Sequence, residues 1–264
     1  MQARVNKIDI YYESHGFGDP LLLIPGLGSD ANTWAPFVPA FSDRYRIVIL
    51  ENRGSVRSSR PPGPYTTDQM AGDAAGLLDQ LGIQRAHVIG KSMGGMIAQE
   101  LAIRYPDKVR SLVLASTLMK HDAYGVEMLE LGRVIAEKAG LFATYRQAFL
   151  MSYSREYCMT NRSRLAEVQE LMSRIDEAEA LRGYLAQSMA CQTHDTRDRA
   201  TRIKAPALVI VGNDDVITTP RASRELAAAI PRAELKILPR GGHGFWREFP
   251  AEVNAHVREF LGKV

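Results

Sequence analysis

Short apolar runs alternate with helix-patterned segments at both ends of this chain, and that alternation restricts its architecture more than any other feature. "PLLLIPG" (20–26), "RIVILENRG" (46–54), "AHVIG" (86–90) and "VRSLVLAS" (109–116) are continuous apolar runs closed by turn residues, as strands buried on both faces require. "TTDQMAGDAAGLLDQLG" (66–82) follows the second run with helical periodicity, Thr67 reading as its N-cap and Gly82 as its stop. "PALVIVGNDD", "RASRELAAAIP", "AELKILPRGG" and "AEVNAHVREFL" resume the rhythm near the C-terminus. Repeated strand–helix units imply a mostly parallel sheet with helices on both faces. "KIDIYYESHG" alternates instead, and reads as an antiparallel edge strand ending in a turn at His15.

From Leu118 to about Thr201 the strand runs stop and long amphipathic patterns replace them. Five of the ten methionines fall between Met119 and Met172, as suits an adaptable apolar lining. The expected organisation is a core of residues 1–117 and 202–264 interrupted by a helical cap over 118–201. Insertions after a strand of such a sheet cover the ligand site.

The third apolar run meets its helix through "GKSMG", which satisfies G-x-S-x-G at Gly90, Ser92 and Gly94. Five residues alone are a weak signal, but the position between strand and helix is the context of a nucleophile elbow. A serine hydroxyl needs a base to remove its proton. Of His15, His87, His121, His194, His243 and His256, only His243 lies in a glycine-rich loop just after the last strand, at the edge where Ser92 emerges. His87 reads as structural and His256 as a surface residue. Asp214 and Asp215 end the preceding strand at that edge, and one of them is expected to orient the imidazole. The backbone N–H of Met93, with that of Leu27 in "IPGLGSD", completes the arrangement as an oxyanion hole.

Assembled in this order, the motifs resemble the α/β-hydrolase superfamily, and within it small capped carboxylesterases and lactonases of the 3-oxoadipate enol-lactonase type. The resemblance runs from "LLLIPGLGSDANTW" through "NRGSVRSSRPP", "VIGKSMGGMIAQELA" and "GNDD" to "GGHGFWREFP". It implies an α/β-hydrolase fold: a mostly parallel, doubly wound, eight-stranded sheet with an inserted helical cap. It selects Asp215, three residues after Gly212, as the acid. It also implies a two-step reaction in which Ser92 attacks an ester carbonyl to form an acyl-enzyme and a water activated by His243 releases the acid, with no cofactor and no metal. Three positions depart from the family pattern. Pro25 stands before Gly26 where histidine is usual, Glu51 and Val56 replace the aspartate and glycine of "D-x-R-G-x-G", and Lys91 precedes the serine where histidine is frequent. Lys91 reads either as a packed stem with a solvated ammonium or as a cation favouring acidic substrates.

The substrate class expected is therefore a small carboxylic ester or lactone. C–C bond hydrolysis, thioester hydrolysis and peracid formation on the same triad remain open, as does a ligand receptor built on the fold. A net charge of +3, with cations scattered among acids, gives no support for nucleic-acid binding. No stretch approaches bilayer-spanning length, and the N-terminus lacks a signal-peptide core. Cys158 and Cys191 read as small buried hydrophobes rather than a disulfide. A cytoplasmic setting is expected.

Overall fold

A computed structural model describes residues 1–264, the side chain of Leu171 apart. Eight strands form one sheet: β1 (Gln2–Val5), β2 (Ile8–His15), β3 (Asp19–Ile24), β4 (Tyr45–Leu50), β5 (Ala86–Lys91), β6 (Val109–Ala115), β7 (Ala207–Gly212) and β8 (Ala233–Leu238). Their spatial order is β1-β2-β4-β3-β5-β6-β7-β8. Both pairings of β2 are antiparallel, and the remaining neighbours are parallel. The "KIDIYYESHG" strand is thus not the edge. The four-residue β1 shields it, too short and polar to announce itself in the sequence, and His15 closes β2 instead of standing in a turn.

Residues of each inner strand alternate between two cores, as the pleat dictates. Leu22 and Ile24 of β3, Val48 and Leu50 of β4, and Leu112 and Leu114 of β6 face one side. They meet α1 (Thr67–Gln80), α2 (Met93–Arg104) and α7 (Pro220–Ala229). Leu21 and Leu23, Ile47 and Ile49, and Val113 and Ala115 face the other. There they pack on an aromatic group formed by Trp34, Phe37, Phe41 and Trp246, beside α9 (Pro250–Leu261). Burying both faces explains the unbroken apolar runs; each such side chain contributes roughly 1.5–3 kcal/mol.

Between β6 and β7 no strand occurs. The chain instead forms α3 (Ala123–Ser152, broken at Gly140), α4 (Arg155–Thr160), α5 (Ser163–Met172) and α6 (Glu177–Thr193). A short α8 (Phe245–Glu248) precedes α9. The N-cap of α1 is Thr66, whose extended backbone lets its hydroxyl accept from the Gln69 amide; Thr67 is already helical. Thr67 turns its own hydroxyl to His194 Nδ1, 2.9 Å away, and this contact fastens the end of α6 to the core. No helix among the described residues is long and apolar enough to cross a membrane.

Because β4 and β5 lie on opposite sides of β3, the loops leaving β3 and β5 diverge at the carboxyl edge of the sheet. Open α/β sheets bind ligands at such a switch point.

Candidate active site

Ser92 stands where β5 gives way to α2, with φ +56° and ψ −123°. A non-glycine residue in that region is strained, at a cost of about 1–3 kcal/mol, and persists only where its surroundings impose it. The surroundings are visible in the flanking glycines. A Cβ on Gly90 would lie 2.2 Å from the Gly94 carbonyl oxygen, and one on Gly94 would lie 2.0 Å from that of Ile24. The Ser92 amide donates to Ala115 O at 2.9 Å, and the Thr117 hydroxyl donates to Ser92 O at 2.9 Å, so β6 braces the turn.

The turn after β7 is equally determined. Asp215 is buried, and its Oδ1 accepts from the backbone amides of Ile217 (2.9 Å) and Thr218 (2.8 Å). Its Oδ2 accepts from the Thr218 hydroxyl (2.9 Å) and lies 3.0 Å from Nδ1 of His243. Burial pushes the Asp215 carboxyl up, but the charge of His243 and the hydrogen bonds from His243 and Thr218 outweigh it, leaving the group at about 2. It is a carboxylate at any ordinary pH. Asp214 points elsewhere: its Oδ2 accepts from the Gly241 amide at 3.0 Å and closes the loop leading to His243. The two adjacent aspartates therefore divide their work. One orients the imidazole and the other shapes the loop.

The Leu27 and Met93 N–H groups have no hydrogen-bond partner among the described residues. The Ser92 hydroxyl also makes no protein hydrogen bond among them. Ser92, Asp215 and His243 thus follow β5, β7 and β8 at one edge of the sheet, and Asp215 and His243 are hydrogen-bonded to each other.

Several participants lie beyond what sequence spacing reveals. Gln187 of α6 is fully buried; its Oε1 accepts from the Gly28 amide at 3.0 Å, one residue past Leu27. Its Nε2 donates to Arg53 O (2.8 Å) and Ser55 Oγ (3.2 Å). The helical insertion therefore holds the loop after β3 by a single amide side chain. The divergent "ENRGSVRS" segment supports the same loop from below. Asn52 Nδ2 donates to Pro25 O (2.9 Å), and Glu51 Oε1 accepts from the Ala31 amide (3.0 Å). Arg53 is clamped to Asp73 of α1 through two buried bonds of 2.6 and 2.7 Å.

Lys91 is half-buried, without an ion-pair partner among the described residues. Burial lowers its pKa to about 8, offset in part by Asp215 and reinforced by Arg247. The remaining histidines take other places. His87 Nδ1 meets Ser111 Oγ at 2.7 Å inside the sheet, His194 fastens α6, and His121 lies in the wall beneath α3. Cys158 and Cys191 are free and buried, and burial raises both thiol pKa values, that of Cys191 to about 12. No group of three or more His, Cys, Asp or Glu placed to hold a metal occurs among the described residues.

Relatives share this framework along their whole length. "Putative carbamate hydrolase RutD" of Azorhizobium caulinodans is 30% identical over 263 residues, covering 99% of this chain and 98% of its own. "Putative non-heme bromoperoxidase BpoC" of Mycobacterium tuberculosis is 33% identical over 276 residues, covering 97% and 99%. The crystal structure of the enol-lactonase from Burkholderia xenovorans LB400 superposes with a TM-score of 0.91 at 32% identity, covering 99% of this chain and all of that one. The alpha/beta hydrolase fold family matches residues 19–246. With that match and this order of strands, the chain belongs to the alpha/beta hydrolases.

Proposed function

We propose that the protein is a serine hydrolase that cleaves a small carboxylic ester or lactone through an acyl-enzyme. Ser92 attacks the carbonyl carbon while Nε2 of His243 takes its proton; Asp215 holds the tautomer and stabilises the imidazolium. The carbonyl electron pair moves onto oxygen, where the free N–H groups of Leu27 and Met93 receive it. Collapse expels the alkoxide, which takes the proton back from His243. Water, deprotonated by the same imidazole, then attacks the acyl carbon and returns Ser92. The helices between β6 and β7 act as the cap that admits the substrate.

The observation that carries this reading is the strained Ser92 backbone, held at φ +56° on the edge where Asp215 fixes His243. Nothing in packing rewards a serine there, whereas a nucleophile needs that exposure. The enol-lactonase likeness supports a lactone or ester as substrate. The test is turnover of p-nitrophenyl acetate, butyrate and octanoate and of a lactone panel. Ser92→Ala is expected to lose about 10⁶-fold in kcat while keeping the wild-type melting curve. A variant retaining more than about a tenth of wild-type turnover, far above the loss expected for a nucleophile, would exclude the serine.

The relative named a bromoperoxidase favours a second outcome of the same intermediate. Hydrogen peroxide in place of water would release a peracid and regenerate Ser92. Peracid formed from an ester and hydrogen peroxide, and lost in Ser92→Ala, would establish it.

A further inference from the structure

The inner face of α3 carries two gaps. Gly125 and Gly132 lie seven residues apart, about two helical turns, and both face the core. A Cβ at 125 would sit 2.4 Å from Nδ1 of His121, and one at 132 would sit 3.1 Å from the Tyr184 hydroxyl oxygen. Beneath them is a cavity of about 110 Å³ whose walls include His121, Leu129, Thr144, Met151, Tyr184 and Ile217. Ile217 belongs to the Asp215 turn, and the Tyr184 ring lies 3.4 Å from the place a Cβ on Gly28 would occupy. The cavity therefore lies between the turn that orients His243 and the loop that carries Leu27.

Its polar side chains are His121, Thr144, Gln147 and Tyr184. The Thr144 hydroxyl is taken up by Gly140 O at 3.2 Å. The Tyr184 hydroxyl has no protein partner among the described residues, though burial raises its pKa to about 12. His121 is only 7% exposed; its Nδ1 is sealed against Gly125 without a partner, and its Nε2 makes no hydrogen bond among the described residues. A buried polar group left unpaired costs about 1–3 kcal/mol, and native interiors tolerate few. The His121 imidazole, buried with neither nitrogen bonded to protein, points to a ligand that completes it, and the half-buried Tyr184 hydroxyl meets the same cavity.

The chemistry of that ligand follows from the wall. No lysine or arginine lines the cavity. Burial lowers the His121 pKa to about 4, so the ring is neutral near pH 7, with one nitrogen a donor and the other an acceptor. Nδ1 is buried beside Gly125 with no hydrogen-bond acceptor among the described residues. Buried donors are left orphaned less often than acceptors, which places the proton on Nε2 and makes that nitrogen the donor to the cavity.

We propose that His121, with Tyr184 at the other end of the cavity, determines specificity by donating from Nε2 to a neutral oxygen on the acyl chain, so that hydroxy-, keto- or amide-bearing acyl esters are preferred over plain alkanoyl esters. The assignment rests on the acyl-enzyme reading for its reaction, and on the cavity alone for its binding.

The experiment compares p-nitrophenyl 3-hydroxybutyrate with p-nitrophenyl butyrate. Wild type is expected to favour the hydroxy ester by roughly 5- to 20-fold in kcat/KM, the worth of completing one buried donor. His121→Leu brings the ratio of the two kcat/KM values close to one, and His121→Gln, which keeps a donor, retains part of it. A wild-type ratio near one, or a ratio unchanged in His121→Leu, overturns the proposal. Calorimetric titration of Ser92→Ala with 3-hydroxybutyramide and butyramide separates binding from turnover. Tighter binding of the hydroxy amide upholds the subsite even if neither ester is cleaved, a result that would count against the acyl-enzyme alone. Equal affinities, or tighter binding of the carboxylate succinamate than of the hydroxy amide, overturn it.

Discussion

The carboxyl edge of the sheet and the helices inserted above it treat polar groups in opposite ways. At the edge the carboxylates around His243 are saturated: Asp215 accepts from two amides and a hydroxyl besides meeting His243, and Asp214 ties down the loop. In the cavity wall under α3, the buried imidazole of His121 and the half-buried phenol of Tyr184 have no protein partner among the described residues. Saturation fixes a geometry and so suits groups that must not move between turnovers. Unpaired donors fix nothing by themselves, and under the proposal above their partner is the substrate. The difference teaches where to look for reaction and where for selectivity: changes at the edge should act on any substrate, and changes in the insertion on particular ones.

The largest effect expected away from the candidate triad breaks the saturated side. Arg53→Leu removes the charge partner of the buried Asp73 carboxylate and its two bonds of 2.6 and 2.7 Å, leaving only the Asn6 amide at 3.0 Å. The loss should be about 3–5 kcal/mol, read as a fall of roughly 10 °C or more in melting temperature. A melting temperature within about 2 °C of wild type, less than 1 kcal/mol for a domain of this size, would mean that this loop does not depend on the pair.

Acid probes core and insertion together. Burial depresses the pKa of His87, inside the sheet, and of His194, at the end of α6, to about 4 from an ordinary 6.5. The unfolded chain binds these protons while the folded chain refuses them. Stability is therefore complete above about pH 6.5 and is lost as pH falls towards 4, by about 2 kcal/mol per histidine at pH 5. Urea unfolding at pH 7.5 and 5.0 measures the loss. His194→Gln, which keeps a group able to bond Thr67, should shrink it by about one histidine's share. An unchanged acid loss in that variant would remove His194 from the account.

The smallest effect sharpens the comparison, because Gln187 belongs to the insertion yet serves the edge. Gln187→Leu frees the Gly28 amide and the Arg53 carbonyl. It should lower kcat about tenfold, less than the roughly 10²- to 10³-fold cost of removing an oxyanion donor outright, with little change in KM and no change in the order of preference among esters. A shift in preference without loss of kcat would place Gln187 with the cavity instead.

Much of the fold could be read from the chain because β3 to β7 are buried on both faces and spell unbroken apolar runs. β1 could not: its four residues are mostly polar and pair only with β2. Of the neighbouring Thr66 and Thr67, backbone conformation rather than residue type decides which one caps α1. Among the candidate site residues, Ser92 and His243 carry local signals, a glycine-flanked turn and a glycine-rich loop. Asp215 needed a family spacing to set it apart from Asp214, and the structure gives the physical reason in their different partners. Thr218 had a faint signal, an aspartate three residues before a threonine after a strand. Gln187 had none, being a polar residue within a helical pattern that meets Gly28 across 159 positions of sequence. His121 was visible only as one histidine among six. Its character comes from Gly125 and the empty space beside it, which exist only in the folded chain.

The most direct measurement is the site of covalent capture. Treating the protein with a p-nitrophenyl alkylphosphonate and mapping the adduct by peptide mass spectrometry should place one phosphonyl group on Ser92, with stoichiometric release of p-nitrophenol and loss of ester turnover in step with labelling. An intact Ser92 peptide after full inactivation, or a label on another residue, would contradict the account at its centre.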